Sequence, residues 1–425
     1  MFVKKISLSL LAGFAMLTNV SNAQSNLDGS NSYNTITTAV PFMRICPDAR
    51  SGGMGDVGIA ISPDANAQFW NVSKLAMADK EVGASLTYTP WLRDLVPDIF
   101  LAYMSGYVKF GSEDNKNQAV SASLRYFSMG NIDFTDYNAT KIGTGQPREY
   151  SFDLGYSRKL SDNLSIGLTG KFINSNIING AANASQGGST FKPGKSFAVD
   201  FGMFYTKDIN YNDQTGQGSR FNLGAVITNL GSKISYTNDR KDFIPTNLGI
   251  GAAYSYSIDE FNKLTVSMDF NKLLVPSPLI DSNGIQSYPY NKSLMSGVFG
   301  SFNDAPGGFK EELQEVMVSI GTEYSYQNQF FARAGYFYES RYKGDRRYLS
   351  VGAGVKYSVF GINFAYIIPS GAGINRNPLS NTLRFSLLFE FDDLNKVLYG
   401  KDGKSKKNDS KDDKKDDKKD ERDEK

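Results

Sequence analysis

The 425-residue chain has no histidine, one cysteine and two tryptophans. Without an imidazole, no Ser-His or Cys-His nucleophile can be assembled, and Cys/His zinc sites are excluded. A single cysteine, Cys46, rules out an intramolecular disulfide framework and reads as a small buried side chain. Charge of one sign is missing too, since 46 Lys+Arg stand against 44 Asp+Glu, so the chain is not a polycation for nucleic acid. After residue 23, no run approaches the 18 or more apolar residues that a spanning helix requires.

What charge there is gathers at the end. Lys401 to Lys425 holds 11 basic and 10 acidic residues, leaving 35 and 34 for the other 400. The body is therefore charge-poor beside ordinary soluble domains, which carry about 25% charged residues. The stretch 392–425, with nothing apolar to bury in its charged repeat, is expected to be a disordered periplasmic tail. At the other end, Lys4 and Lys5 precede an apolar run from Ile6 to Leu17 and a small-x-small site, Ser21-Asn22-Ala23. Residues 1–23 thus read as a secretory signal peptide cut before Gln24. No Cys follows that site, which argues against a lipid anchor.

Abundance lies in 29 Phe, 24 Tyr and 41 Gly, a mixture that favours strands joined by tight turns. Period-two patterns recur from Val82/Ala84/Leu86/Tyr88 through Val120/Ala122/Leu124/Tyr126 to Leu383/Phe385/Leu387/Phe389/Phe391. With Ile99/Leu101/Tyr103 placed on the same greasy face, they make about fourteen strands. Such segments, apolar on one side and polar or small on the other, predict an all-β transmembrane antiparallel barrel over 81–391. The connections agree. Leu160 to Asn163, Ser257 to Phe261 and Gln327 to Gln329 are short, whereas Gly130 to Arg148, Asn176 to Lys195 and Leu273 to Glu315 are long. That alternation is expected of a barrel with both termini in the periplasm, and a soluble sandwich has no reason to show it.

Residues 24–80 are too long for a lead-in and are expected to form a plug or a periplasmic segment. Within them, Gly53-Met54-Gly55-Asp56-Val57-Gly58 fits G-x-G-x-x-G, but Pro47-Asp48-Ala49-Arg50 stands where the fingerprint needs a strand. The longest connection carries Met295, Phe299, Phe302 and Phe309, more apolar surface than an idle loop needs. Trp91, at the end of the first strand, fits an aromatic girdle.

Thr37-Thr38-Ala39-Val40-Pro41-Phe42, Pro47-Asp48-Ala49-Arg50-Ser51-Gly52-Gly53-Met54-Gly55-Asp56 and Leu86-Thr87-Tyr88-Thr89-Pro90-Trp91-Leu92 together resemble the PorV family. These are FadL-like outer-membrane barrels of the type IX secretion system. The resemblance includes Trp70-Asn71, and where many members read Asn-Pro-Ala after that Trp, this chain has Asn71-Val72-Ser73. The resemblance implies a bacterium of the Bacteroidota and a non-enzymatic outer-membrane shuttle. It would bind the C-terminal domain of cargo leaving the SprA/Sov translocon and deliver it to the PorU sortase complex. Loop chemistry places partner contacts on Trp91, Leu92, Phe299, Phe302 and Phe309. Outer-membrane lipid is a further partner, and no cofactor, metal or catalytic residue is expected. The alternative is a FadL-like transporter of hydrophobic small molecules.

Overall fold

The computed structural model describes residues 34–91, 98–112, 115–135, 138–177, 192–212, 217–238, 240–280, 286–369 and 382–392. The signal peptide and the charged repeat from Lys401 lie outside the described residues. Eighteen strands are present among them: β1 (Val82–Pro90), β2 (Ile99–Ser112), β3 (Asn115–Met129), β4 (Ile132–Thr135), β5 (Lys141–Gly145), β6 (Arg148–Lys159), β7 (Leu164–Asn176), β8 (Gly194–Asn212), β9 (Gln217–Gly231), β10 (Asn247–Ser257), β11 (Asn262–Leu273), β12 (Leu279–Ile280), β13 (Gln286–Ser287), β14 (Val316–Tyr326), β15 (Phe330–Tyr338), β16 (Arg347–Tyr357), β17 (Phe360–Pro369) and β18 (Leu383–Phe391). Two pairs, β4 with β5 and β12 with β13, form small hairpins outside the wall. The other fourteen form a closed antiparallel barrel, sealed where β1 meets β18 from Val82 opposite Phe391 to Tyr88 opposite Phe385. Closure leaves no unpaired edge, as a hydrocarbon environment demands.

Connections alternate as the sequence predicts: 113–114, 160–163, 213–216, 258–261, 327–329 and 358–359 are short, and those between them are long. Gln327 and Asn328 both take positive φ, 55° and 52°, a local twist that suits a tight strand reversal. The two mouths of the barrel are therefore a short-turn mouth and a long-loop mouth.

Side chains alternate with the pleat. Leu86, Met104, Leu154, Phe201 and Phe364 stand exposed on the outside, while Thr87, Arg125, Asp153, Asp269, Glu323 and Arg384 are buried within. This inversion of a soluble protein's pattern is what a lipid-facing wall requires. In β2 the sequence expectation fails: Leu101 and Tyr103 are each 1% exposed and face the interior, and Met104 faces out. That strand is apolar on both faces, so alternation does not fix its register. The Tyr103 ring packs inward, with its centroid 6.5 Å from that of Phe69.

Residues 34–80 run through the barrel from one mouth to the other. Asn34 N–H donates to the Tyr342 carbonyl and Ala39 N–H to that of Phe243, both in long loops. Short helical turns follow at Pro41–Arg44, Ala49–Gly52, Ala67–Trp70 and Val72–Met77. The last packs on β3, β6, β7 and β8, with Ser165 Oγ donating to the Ser73 carbonyl. The chain then enters β1 from the short-turn mouth, beside the end of β18.

Glycines make this fit possible. A Cβ on Gly321 would fall 2.2 Å from the Met54 carbonyl oxygen, and one on Gly352 3.0 Å from Gly53 Cα. The G-x-G-x-x-G match is thus a packing device. Its N–H groups are taken, Gly55 donating to Ser350 Oγ at 2.8 Å and Gly58 to Asp269 Oδ2 at 2.7 Å, so they are not free to hold a pyrophosphate.

Candidate functional site

Among the described residues, the connection 274–315 exposes several large apolar side chains at the long-loop mouth. Ser293 caps the helix Leu294–Gly300 by accepting from Ser296 N–H. Gly297 seats that helix on Phe243, where a Cβ would come within 2.6 Å of the ring. With Gly297 and Val298 turned inward, Met295 and Phe299 point out. Phe302 follows, then the helix Phe309–Gln314 with Phe309 and Leu313 one turn apart. Phe299 is 69% exposed, Phe302 48% and Phe309 75%.

The other face of Phe309–Gln314 is ionic and turned inward, with Glu312 buried. Lys272 Nζ on β11 reaches Glu312 Oε2 at 2.8 Å and Glu315 Oε2 at 2.5 Å. Lys343 Nζ reaches Glu311 Oε1 at 2.5 Å and Glu315 Oε1 at 3.0 Å. Glu312 Oε1 also accepts from the N–H groups of Asp304 and Ala305, folding the preceding turn onto the helix. Burial pushes the Glu311 carboxyl up, but hydrogen bonds from Lys343, Asn34 and the Gly307 N–H outweigh it and hold the group below its usual range. Glu312 is held down in the same way against burial, by Lys272 and the backbone. The helix is therefore amphipathic in reverse, with carboxylates inside and aromatics outside.

Trp91 does not join this surface. Its indole lies 6.1 Å from the Phe127 ring in an edge-on contact and packs on the inner cluster of Ile36, Phe243 and Phe337. Leu92 lies outside the described residues. Trp91 instead lines a cavity of about 410 Å³ between the N-terminal segment and the wall, with Phe42, Phe69, Trp70, Phe127 and Phe337. Arg44 and Arg346 flank that cavity and share one carboxylate, Glu339, which Arg346 grips at 2.7 and 2.8 Å and Arg44 at 3.5 Å.

Sequence reasoning found the aromatics of the loop but missed the ionic face that orients them. The signal was present in Glu311, Glu312 and Glu315, whose spacing puts them on one side of a helix while Phe309 and Leu313 share another. Their partners Lys272 and Lys343 are 40 and 28 residues away respectively, out of reach of local pattern.

Among solved structures, the chain is similar to the toluene transporter TbuX of Ralstonia pickettii, with 10% identity, a TM-score of 0.44 and coverage of 81% of this chain and 98% of that one. It is also similar to the P. putida toluene transporter TodX, with 12% identity, a TM-score of 0.44 and coverage of 86% and 100%. A Pseudomonas aeruginosa FadL homologue gives 12%, 0.38, and 85% and 100%. No curated protein matches the sequence. The family described as type IX secretion system protein PorV matches residues 28–280, more than half of the chain. The chain belongs to the PorV family and is an outer-membrane β-barrel protein.

Proposed function

We propose that this barrel is a docking and shuttle component of type IX secretion. It receives the C-terminal domain of cargo from the SprA/Sov translocon and passes it to the PorU attachment complex. The long-loop mouth faces outward from the cell, residues 34–80 plug the lumen, and the barrel performs no chemistry on the cargo. One observation carries the reading: the reversed helix Phe309–Gln314, fixed by Lys272 and Lys343, holds Phe309 and Leu313 in water on the same loop that exposes Phe299 and Phe302. Exposing such anchors is unfavourable unless a partner covers them, and desolvated aromatics dominate protein interfaces.

The test uses Phe299→Ser, Phe302→Ser and Phe309→Ser together in the full chain. Secretion of cargo should fall by at least tenfold, as should binding of a purified C-terminal signal domain, while the barrel stays folded by heat-dependent gel mobility. Normal secretion and binding by the triple variant would end the docking reading.

A second reading, a FadL-like transporter of hydrophobic small molecules, is favoured by the aromatic cavity of about 410 Å³, within the range of small-molecule sites. It requires uptake of an apolar compound in a heterologous outer membrane that lacks the secretion machinery.

A further inference from the structure

We propose that the docking loop and the N-terminal segment are coupled at Asn34, so that a partner seated on the Phe299/Phe309 face loosens the segment from the β1–β7 side of the barrel. This rests on the docking reading and adds its regulation. The junction is a shared carboxylate. Asn34 Nδ2 donates to Glu311 Oε1 at 2.9 Å and to the Pro278 carbonyl at 3.2 Å, and both acceptors belong to the docking loop. Glu311 Oε1 also takes Lys343. Glu311 lies on the same short helix as Phe309 and Leu313, so a partner that moves the helix moves the acceptor that holds Asn34.

The seat of the segment is lopsided. Toward β11–β18 it is fastened by charge: Arg50 to Glu323 at 3.0 Å, Asp56 to Arg384 at 2.9 Å, and Asp269 to the N–H groups of Gly58 and Ile59. Toward β1–β7 no carboxylate–cation pair joins it to the wall among the described residues. There, Arg125 Nη1 donates to the Met43 carbonyl at 3.0 Å, its guanidinium lies 4.3 Å from the centroid of the Phe69 ring, and Ser165 Oγ donates to the Ser73 carbonyl at 2.7 Å. None of these contacts joins two charged groups, so the β1–β7 side is the weaker of the two. A second position of the segment, still held at β14–β18 and lifted from β1–β7, therefore breaks none of the segment's ion pairs to the wall. Removing the Asn34 anchor selects it by population shift.

Cys46 supplies a native reporter, being the chain's one thiol and 2% exposed beside the Pro41–Arg44 turn. The experiment measures its labelling rate with a maleimide in the full-length barrel, with hydrogen exchange over 34–70 as a second readout. Asn34→Ala should raise the rate on the order of tenfold with the barrel still folded. A purified C-terminal signal domain of an exported protein should do the same to the unmodified barrel but not to Phe309→Ser. Unchanged labelling and exchange in both Asn34→Ala and Asn34→Ala/Lys343→Met would overturn the coupling. If the signal domain binds through Phe309 yet Cys46 reacts no faster, the coupling fails and docking stands. If the domain ignores Phe299→Ser and Phe309→Ser altogether, docking itself fails whatever Asn34→Ala does.

Discussion

Gly335 on β15 approaches the N-terminal segment so closely that a Cβ there would fall 2.2 Å from the backbone nitrogen of Gly55. Gly55 itself has φ of +73°, a conformation that side chains disfavour. The contact joins residues 280 apart in sequence and fixes the depth at which the segment sits. Gly335→Ala should therefore push the segment off β14 and β15 rather than break the wall. The cost expected is about 1–3 kcal/mol, the range for overpacking. Urea unfolding measures it, with Cys46 labelling faster as the segment lifts. Unaltered values for both would show that the seat tolerates a methyl group.

Arg50, Glu323 and Arg333 form a buried chain in which Glu323 accepts from Arg50 at 3.0 Å and from Arg333 Nε at 2.7 Å. Removing the shared carboxylate leaves two guanidinium groups facing each other with only Asp64 to balance them. Removing Arg50 leaves Glu323 still paired to Arg333, and Asp64 loses its cation but still accepts from the Asn66 N–H. Glu323→Gln should thus destabilise more than Arg50→Met, by roughly 3–5 kcal/mol against a smaller loss, following the rule for broken buried pairs. The order of the two urea midpoints decides it, and the reverse order would mean that Arg50 carries the seat alone.

Trp91 lies on the inner cavity, so Trp91→Ala should behave as a core deletion. A loss of about 3–5 kcal/mol is expected from the large-to-small rule. Binding of a cargo signal domain by the folded fraction should be unchanged. Loss of binding with full stability would instead return Trp91 to the docking surface that its place in the sequence suggested.

Much of the wall was legible because a lipid-facing strand has to be apolar on alternate residues, and Leu383, Phe385, Phe389 and their counterparts obey that rule. Register failed at β2, where Leu101, Tyr103 and Tyr107 are as apolar as Met104 and Phe110 but face a cavity filled by the N-terminal segment. Alternation reports only the contrast between the two faces of a strand, and β2 carries apolar residues on both. The path of residues 34–80 was illegible for another reason. Its anchors, Asp269 to Gly58 and Ser350 to Gly55, span 211 and 295 residues and leave no periodic trace. The aromatics of the docking surface could be read as exposed loop residues, but their rigidity comes from Lys272 and Lys343, which tertiary structure alone brings to the helix.

That rigidity should depend on pH. Glu311, Glu312 and Glu339 are all held below their usual range, the last by Arg346 against the opposing effect of burial. A carboxyl with a depressed folded pKa stabilises the structure above its ordinary value and loses that contribution as pH falls through the folded one. Here the window opens at about pH 4.3, the ordinary value for Glu, and extends downward. At pH 6 the clamp should be complete. Below pH 4, protonation of Glu311 and Glu312 should break their bonds to Lys343 and Lys272, which keep Glu315, and loosen the helix Phe309–Gln314. Hydrogen exchange, corrected for its intrinsic pH dependence, should show protection of 309–314 falling across that window while β14 stays protected. Glu312→Gln should lose the protection at pH 6 and show little further change on acidification. Protection of 309–314 that is flat from pH 6 to pH 3 in the unmodified barrel would mean that packing of Gly297 on Phe243, and not the carboxylates, holds the docking face in place.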